Sequence, residues 1–261
     1  MLSYQHGYHA GNLADVHKHA LLAAMLDYLT RKDKPLSYIE THAGRGLYAL
    51  DAPEALKTGE AAQGIATAEA RTWFAADHPY ARALTEVRRR YGPQAYPGSP
   101  LVAALLLRPD DRAWLAELHP QEFEALRDAM LPFDAHCRKL DGMAMALAVT
   151  PPEPRRGLML IDPSYEVKAD YEALPKQMYD IHRKWNVGVI ALWYPVLADL
   201  RHRPMLAALE RVNFPKVLRH EVRFRPARDG HGMIGSGMFV VNAPFGLDAE
   251  AARLTGLFNR L

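Results

Sequence analysis

Gly157-Leu158-Met159-Leu160-Ile161-Asp162-Pro163-Ser164-Tyr165 decides how the chain reads. A run of large apolar residues stops abruptly at an acid, a proline and an aromatic. Runs of this kind form the central strand of a parallel sheet covered by helices on both faces. Asp162-Pro163-Ser164-Tyr165 then lies at the strand's carboxyl end, where open α/β sheets bind their ligands. A carboxylate, the free carbonyl of Pro163 and a stacking ring suit a planar base carrying an exocyclic amine.

Upstream of this strand, Asn12 or Asp15 is expected to cap a helix running to about Thr30, with Leu21, Leu22, Met25, Leu26 and Leu29 on one face. Lys34-Pro35 breaks it, and 36–40 reads as the first strand, leading into Thr41-His42-Ala43-Gly44-Arg45-Gly46. A helical stretch from about Ala52 to Arg90, interrupted at Gly59, Gly64 and Pro79, is too long for an ordinary βα connection. Residues 52–91 are therefore expected to form an inserted helical subdomain, with 13–51 and 92–261 as the main domain. Tyr96-Pro97-Gly98-Ser99-Pro100 reads as a turn opening a helix that ends near Arg108. Strands are expected at 113–117, around His136 and Cys137, at 157–162 and at 187–193, separated by helices at 120–130, 168–184 and 196–212. Segments 216–224 and 237–242 read as a closing antiparallel pair. Such alternation predicts an α/β fold with a doubly wound, mostly parallel sheet.

The 261 residues can bury a substantial core, and a net charge of +2 leaves no global polycation. Any nucleic-acid surface must come from local clustering. The single cysteine, Cys137, excludes an intrachain disulfide and fits a reducing compartment. No apolar run approaches the roughly 18 residues of a membrane span, and the polar, aromatic start does not read as a leader. A soluble, cytoplasmic protein is expected, without membrane contact and with no obligate protein partner evident.

Four features fall at successive strand ends: Glu40 to Gly46, Glu117, Asp141-Gly142, and Asp162. Glycines let backbone approach a ligand closely. An acid at the second strand end accepts two hydrogen bonds from a ribose diol, and one at the third takes an adenine amino hydrogen. Any single acid reads as readily as a solvated strand-end residue, but four in register form a nucleoside-binding crevice.

Further segments sharpen this: Met1-Leu-Ser-Tyr4, His9-Ala-Gly-Asn12, Asp15-Val-His-Lys18-His19, Thr41-His42-Ala43-Gly44, Tyr96-Pro-Gly-Ser99-Pro100, Glu117-Leu-His119-Pro120, Arg155-Arg-Gly157, Ala191-Leu-Trp-Tyr194-Pro195 and Ser236-Gly237-Met238. Together with Asp141-Gly142 and Asp162-Pro163 they make the chain resemble the class I (Rossmann-like) S-adenosylmethionine-dependent methyltransferases, with their seven-stranded sheet. Within these it resembles the large-subunit ribosomal RNA methyltransferase J family, which methylates N6 of an adenine in 23S rRNA (nominally adenine 2030). The resemblance implies that His19, His42, Ser99, Glu117, Asp141 and Gly142 line the S-adenosylmethionine site, with Asp162 at its edge. It also implies that Asp162 is catalytic and that Tyr4 engages the RNA. Two departures stand out: Ser164 replaces the family's usual second proline, and Arg45 replaces a small residue in the glycine loop.

The chemistry expected of these groups is specific. The adenine N6 lone pair is delocalised into the ring and is a poor nucleophile. Hydrogen bonds from the amine to Asp162 and the Pro163 carbonyl favour the pyramidal geometry that frees it, and stabilise positive charge as it grows on nitrogen. Tyr165 is expected to stack on the base, which must be flipped out or already unpaired. The amino-terminal segment, 1–12, reads as an RNA-contacting arm in which Tyr4 and His6, with Lys18 beyond it, stack and meet phosphate. His6, His9, His17 and His19 cluster there, but no paired Cys or Glu-x-x-His arrangement completes a metal site, so no metal is expected. Arg88-Arg89-Arg90 and the series Arg219, Arg223, Arg225 and Arg228 are candidate phosphate contacts, and Trp193 and Tyr194 are assigned to packing below the site. Two other readings stand beside the rRNA enzyme: a DNA adenine-N6 methyltransferase, and a non-catalytic nucleic-acid-binding protein linked to DNA uptake or use.

Overall fold

A computed structural model of the chain describes residues 5–226 and 232–261. A 3₁₀ turn at His6–Tyr8 precedes α1 (Leu13–Thr30), β1 (Ser37–Glu40) and β2 (Leu47–Ala49). Then come α2 (Pro53–Thr58), α3 (Glu60–Gln63), α4 (Ile65–Ala70), α5 (Pro79–Tyr91), β3 (Ala95–Pro97) and α6 (Ser99–Leu106). Regular alternation follows: β4 (Arg112–Ala116), α7 (Pro120–Met130), β5 (Ala135–Arg138), α8 (Gly142–Val149), β6 (Gly157–Ile161), α9 (Ala169–Lys184), β7 (Val189–Leu197) and α10 (Arg203–Arg211). The described chain closes with β8 (Leu218–Arg223), β9 (Met233–Val241) and α11 (Leu247–Phe258).

Seven strands form one sheet in the order β5-β4-β1-β6-β7-β9-β8. The pairs β5–β4, β4–β1, β1–β6 and β6–β7 are parallel, and only β9 runs antiparallel to its neighbours β7 and β8. The expected doubly wound, mostly parallel sheet is thus present. Chain order runs outward from β1 to β5 on one side, then returns to β6 on the other. The β1/β6 boundary is therefore the topological switch point, and a crevice opens beyond the carboxyl ends of its strands.

Alternation along each strand feeds two cores. Tyr38, Leu158, Leu160, Ala191, Met238 and Val240 meet α1 residues such as Leu22 and Leu26 on one face. Ile39, Met159, Ile161, Ile190, Leu192 and Phe239 meet Met178, Ile181 and Leu206 from α9 and α10 on the other. β6 is buried at every position, as its sequence predicts for a strand covered twice. Tyr80, Ala83 and Leu84 of α5 share the core of α1.

α1 starts where the sequence places it: the Asn12 side chain accepts from the Asp15 amide at 2.9 Å. The expected single apolar face is, however, too modest, since every residue from 13 to 23 is buried. A helix buried all round must find internal partners for its polar side chains. Asp15, His17, Lys18 and His19 are those side chains.

Several boundaries differ from expectation. β7 runs on through Pro195 to Leu197, so the helix expected from Val196 begins only at Arg203. β6 pairs with β7 no further than Leu192, and beyond that β7 has a neighbour only on the β9 side. Such an overhang tolerates a proline that an enclosed strand would not. The stretch read as a turn at Tyr96 is strand β3, paired antiparallel with the unanticipated β2. α8 and α11 were likewise not anticipated. No described helix is long and apolar enough to cross a membrane.

Candidate active site

The crevice at the switch point widens into a cavity of about 510 Å³, within the roughly 300–1,000 Å³ range of small-ligand sites. Its wall includes every residue proposed for the cofactor: His19, His42, Ser99, Glu117, Asp141, Gly142 and Asp162. Pro163, Tyr165, His6 and Lys18 line it too. The fold gathers all of them; Tyr4 lies outside the described residues.

At the centre, Asp162 follows the last residue of β6. Its Oδ2 accepts a hydrogen bond from Lys18 Nζ at 2.7 Å, and Lys18 also reaches Asp15 Oδ1 at 3.2 Å. No hydrogen bond to Asp162 Oδ1 occurs among the described residues. Burial works against the Lys18 charge, yet Asp162 and Asp15 outweigh it and hold the ammonium well above its ordinary value. Lys18, expected to reach RNA phosphate, is instead 5 % exposed and committed to two carboxylates. His6 also turns inward, 2.8 Å from Asp15 Oδ2. Burial alone would raise the Asp15 carboxyl, but His6 and Lys18 hold it well below its usual range.

Tyr165 takes a left-handed backbone, φ 57°, which is costly for a bulky residue. Its hydroxyl donates to the Trp193 carbonyl at 2.7 Å, and its ring meets Tyr171 with centroids 4.6 Å apart. Trp193, read from the sequence as packing, is in fact a cavity wall, with Lys18 Nζ 5.6 Å from its ring centroid. Nothing in the local sequence separates such a tryptophan from a core residue. Tyr194 is fully buried, as expected. Ser164, at the position of the family's second proline, is exposed, whereas Pro163 is buried.

The other end of the cavity is polar and backbone-rich. Glu117 Oε2 accepts from Gly44 N at 2.8 Å and Oε1 from His119 N at 2.7 Å; burial still raises its carboxyl. Gly44 has φ 61°, and a Cβ there would stand 2.6 Å from the Tyr48 hydroxyl. Asp141 caps α8, accepting from Ala144 N at 2.7 Å. A Cβ on Gly142 would lie 1.7 Å from the Thr41 carbonyl oxygen, so only glycine lets α8 rest on the end of β1. Ser99 is hydrogen-bonded to Glu40, whose carboxyl burial pushes up to about 8 despite hydrogen bonds from Ser99 and Tyr38. His19 meets the Tyr96 hydroxyl at 3.1 Å through Nδ1, while its buried Nε2 has no hydrogen-bond partner among the described residues.

Basic residues read as phosphate contacts fare differently. Arg88 pairs with Glu69, Arg89 and Arg90 with Glu86, and Arg219 with Glu210 and Glu221. Arg228 lies outside the described residues. Arg45, the departure in the glycine loop, bonds Glu122 through Nε and Nη2 at 2.9 and 2.7 Å.

Comparison with known proteins places this geometry. The family model described as "Ribosomal RNA large subunit methyltransferase D, RlmJ" matches residues 33–260. The Escherichia coli protein named Ribosomal RNA large subunit methyltransferase J is 41% identical over 256 residues, covering 96% of this chain and 90% of that one. Its Haemophilus influenzae namesake is 40% identical over 257 residues, with the same coverage of 96% and 90%. Among solved structures, protein LPL1258 from Legionella pneumophila superposes with a TM-score of 0.84 at 34% identity, covering 96% of this chain and 94% of that one. A human methyltransferase 10 domain containing protein shares the fold alone, with a TM-score of 0.50 at 9% identity and coverage of 88% and 83%. The sheet is thus that of the class I methyltransferases, and the chain belongs to the ribosomal RNA large subunit methyltransferase J family.

Proposed function

We propose that this chain, by family a methyltransferase of large-subunit ribosomal RNA, uses S-adenosylmethionine to methylate the N6 amine of an adenine in 23S rRNA. One observation carries the reading: Asp162 stands on the cavity wall with one carboxylate oxygen held by Lys18 and the other without a hydrogen bond among the described residues.

The residues present fit the cofactor. His19 Nε2, buried on the cavity wall and 3.9 Å from Asp15 Oδ1, has no hydrogen-bond partner among the described residues, a feature that a polar ligand would satisfy. Glu117 suits a ribose diol, Asp141 an adenine amino group, and Ser99 with His19 the charged amino-acid end. His42 and the glycine at 142 complete the wall. When bound, S-adenosylmethionine supplies an electrophilic methyl group on a sulfonium.

The protein's own groups do the rest. Asp162 and the Pro163 carbonyl accept the two N6 hydrogens and hold the nitrogen pyramidal, which exposes its lone pair. Their partial negative charge opposes the positive charge that grows on nitrogen, so the help is greatest in the transition state. Asp162 then takes the proton, directly or through water. Tyr165, braced by Tyr171 and Trp193, offers a ring on which the base stacks. A base at this depth must leave its helix. His6 and Lys18 would therefore meet only the inserted nucleotide, while Tyr4 and the rest of residues 1–12 would serve as an arm over the RNA. Residues 52–91 form the inserted helical subdomain in this reading, and the rRNA substrate places the protein in the cytoplasm.

Labelled methyl transfer to an unmodified 23S rRNA fragment, and not to duplex DNA, tests the substrate. Asp162→Ala should lower turnover at least about 100-fold while retaining cofactor binding. Transfer to DNA alone, or an active Asp162→Ala enzyme, would overturn the reading.

A further inference from the structure

His17 takes no part in the chemistry above, yet it is fully buried in the second turn of α1. It belongs to an unbroken run of hydrogen bonds that begins on the cavity wall. Trp193 Nε1 lies 2.9 Å from Ser236 Oγ, which lies 2.8 Å from His17 Nδ1. His17 Nε2 is 2.9 Å from His220 Nδ1, and His220 Nε2 is 2.8 Å from Thr255 Oγ1. Thr255 donates to the Ala251 carbonyl at 3.1 Å. The run links β7, β9, α1, β8 and α11.

Both of its ends have a fixed direction. An indole nitrogen only donates, and a carbonyl oxygen only accepts. The proton order between them follows: Ser236 donates to His17 Nδ1, His17 Nε2–H to His220 Nδ1, and His220 Nε2–H to Thr255. Reversing the middle links would strand the hydroxyl hydrogen of Ser236, which is fully buried. Both imidazoles must be neutral with the proton on Nε2. Burial favours this, holding both rings below their ordinary value.

The run ends on a residue that touches two groups of the site. The Trp193 ring faces the Lys18 ammonium at 5.6 Å and the Tyr165 ring at 6.1 Å between centroids, and the Trp193 backbone carbonyl receives the Tyr165 hydroxyl at 2.7 Å. Lys18 grips Asp162, and Tyr165 follows it by three residues. We infer that Ser236, His17, His220 and Thr255 are positioning residues that fix the Trp193 indole and, through it, the setting of Lys18 and Tyr165 around Asp162. Its consequence for activity rests on the adenine-methylating reading; the proton order does not.

Two measurements test it. Ser236→Ala deletes one hydroxyl from a small side chain, and Trp193→Phe keeps an aromatic ring without the donor. Each should lower kcat on the 23S rRNA fragment about ten-fold or more, since small misplacements at a reacting centre are costly. S-adenosylhomocysteine affinity by calorimetry should change less than about two-fold, and the double variant should be no slower than the slower single one. Losses that multiply, an unimpaired Ser236→Ala enzyme, or an equal loss of cofactor affinity would show mere packing and overturn the proposal. Nitrogen-15 spectra of the unsubstituted protein should show the proton on Nε2 of both His17 and His220; Nδ1 protonation of either ring overturns it whatever the activity. If the unsubstituted enzyme leaves the fragment unmethylated, the functional reading fails, and the spectra alone judge the relay.

Discussion

Lys18 spans Asp15 and Asp162 at 3.2 and 2.7 Å in a site that is almost closed to solvent. Removing one partner of a buried charge cluster costs more than the pair contributes, because the remaining charges stay buried and uncompensated. Lys18→Met would leave two carboxylates facing a cavity without their cation. The expected result is a loss of about 3–5 kcal/mol of stability in urea unfolding. Turnover should drop with it, because Asp162 would lose the contact that orients it. A variant as stable as the parent would show that the ammonium is solvated rather than bound. Asp162 and Tyr165 could be read from the sequence because an apolar run delivers them to a strand end. The pairing of Lys18 with Asp162 could not: a lysine is rarely buried, and here a helix whose residues 13 to 23 are all buried makes it so. Trp193 reads as packing for the opposite reason, since an aromatic within an apolar strand is ordinarily core.

Gly142 shows how a whole element depends on one missing atom. α8 begins there, capped by Asp141, and its first turn presses on the Thr41 carbonyl at the end of β1. A methyl group 1.7 Å from that oxygen cannot be absorbed by a flexible side chain, because the obstacle is backbone. Gly142→Ala must move α8 away from β1, and Asp141 with it. S-adenosylhomocysteine affinity by calorimetry should fall at least about ten-fold, equivalent to roughly 1.4 kcal/mol. Unchanged affinity would mean that α8 is not part of the cofactor wall. The helix itself was invisible in the sequence, since Gly142 to Val149 carries no charged residue and no amphipathic period to set it apart from a buried strand. β6, α7 and α9 were legible because turn residues and charges bracket them. β2 and β3 were not, because three residues each are too few to show alternation, and Pro97-Gly98 reads first as a turn.

At the scale of the whole molecule, buried titratable groups set opposing limits on stability. Burial lowers His19 to about 3 and holds His17 well below the ordinary imidazole value of 6.5. As pH falls below 6.5 the unfolded chain binds two protons that the fold refuses, so their contribution is complete above that pH and is lost progressively beneath it. Glu40 acts in the other direction. Its carboxyl is raised from 4.5 to about 8 by burial, so its contribution is complete below 4.5 and is lost as pH rises to 8. Below pH 6.5 the lowered histidines, His42, His182, His202 and His220 included, outnumber the raised carboxyls Glu40, Glu117 and Asp170, so stability rises with pH. Towards pH 8 the unfolded histidines no longer bind protons while Glu40 still does in the fold, and the slope reverses. Stability should therefore peak between pH 6.5 and 8, in a range set by these groups and not by net charge. Glu40→Gln keeps the buried shape without an ionisable proton. Unfolding midpoints in urea at pH 5, 7 and 8 should show a maximum near pH 7 for the parent protein and a clearly smaller fall from pH 7 to 8 for the variant. A parent that goes on gaining stability to pH 8 would mean that Glu40 is charged within the fold, and a variant that declines as steeply as the parent would assign the loss to another carboxyl.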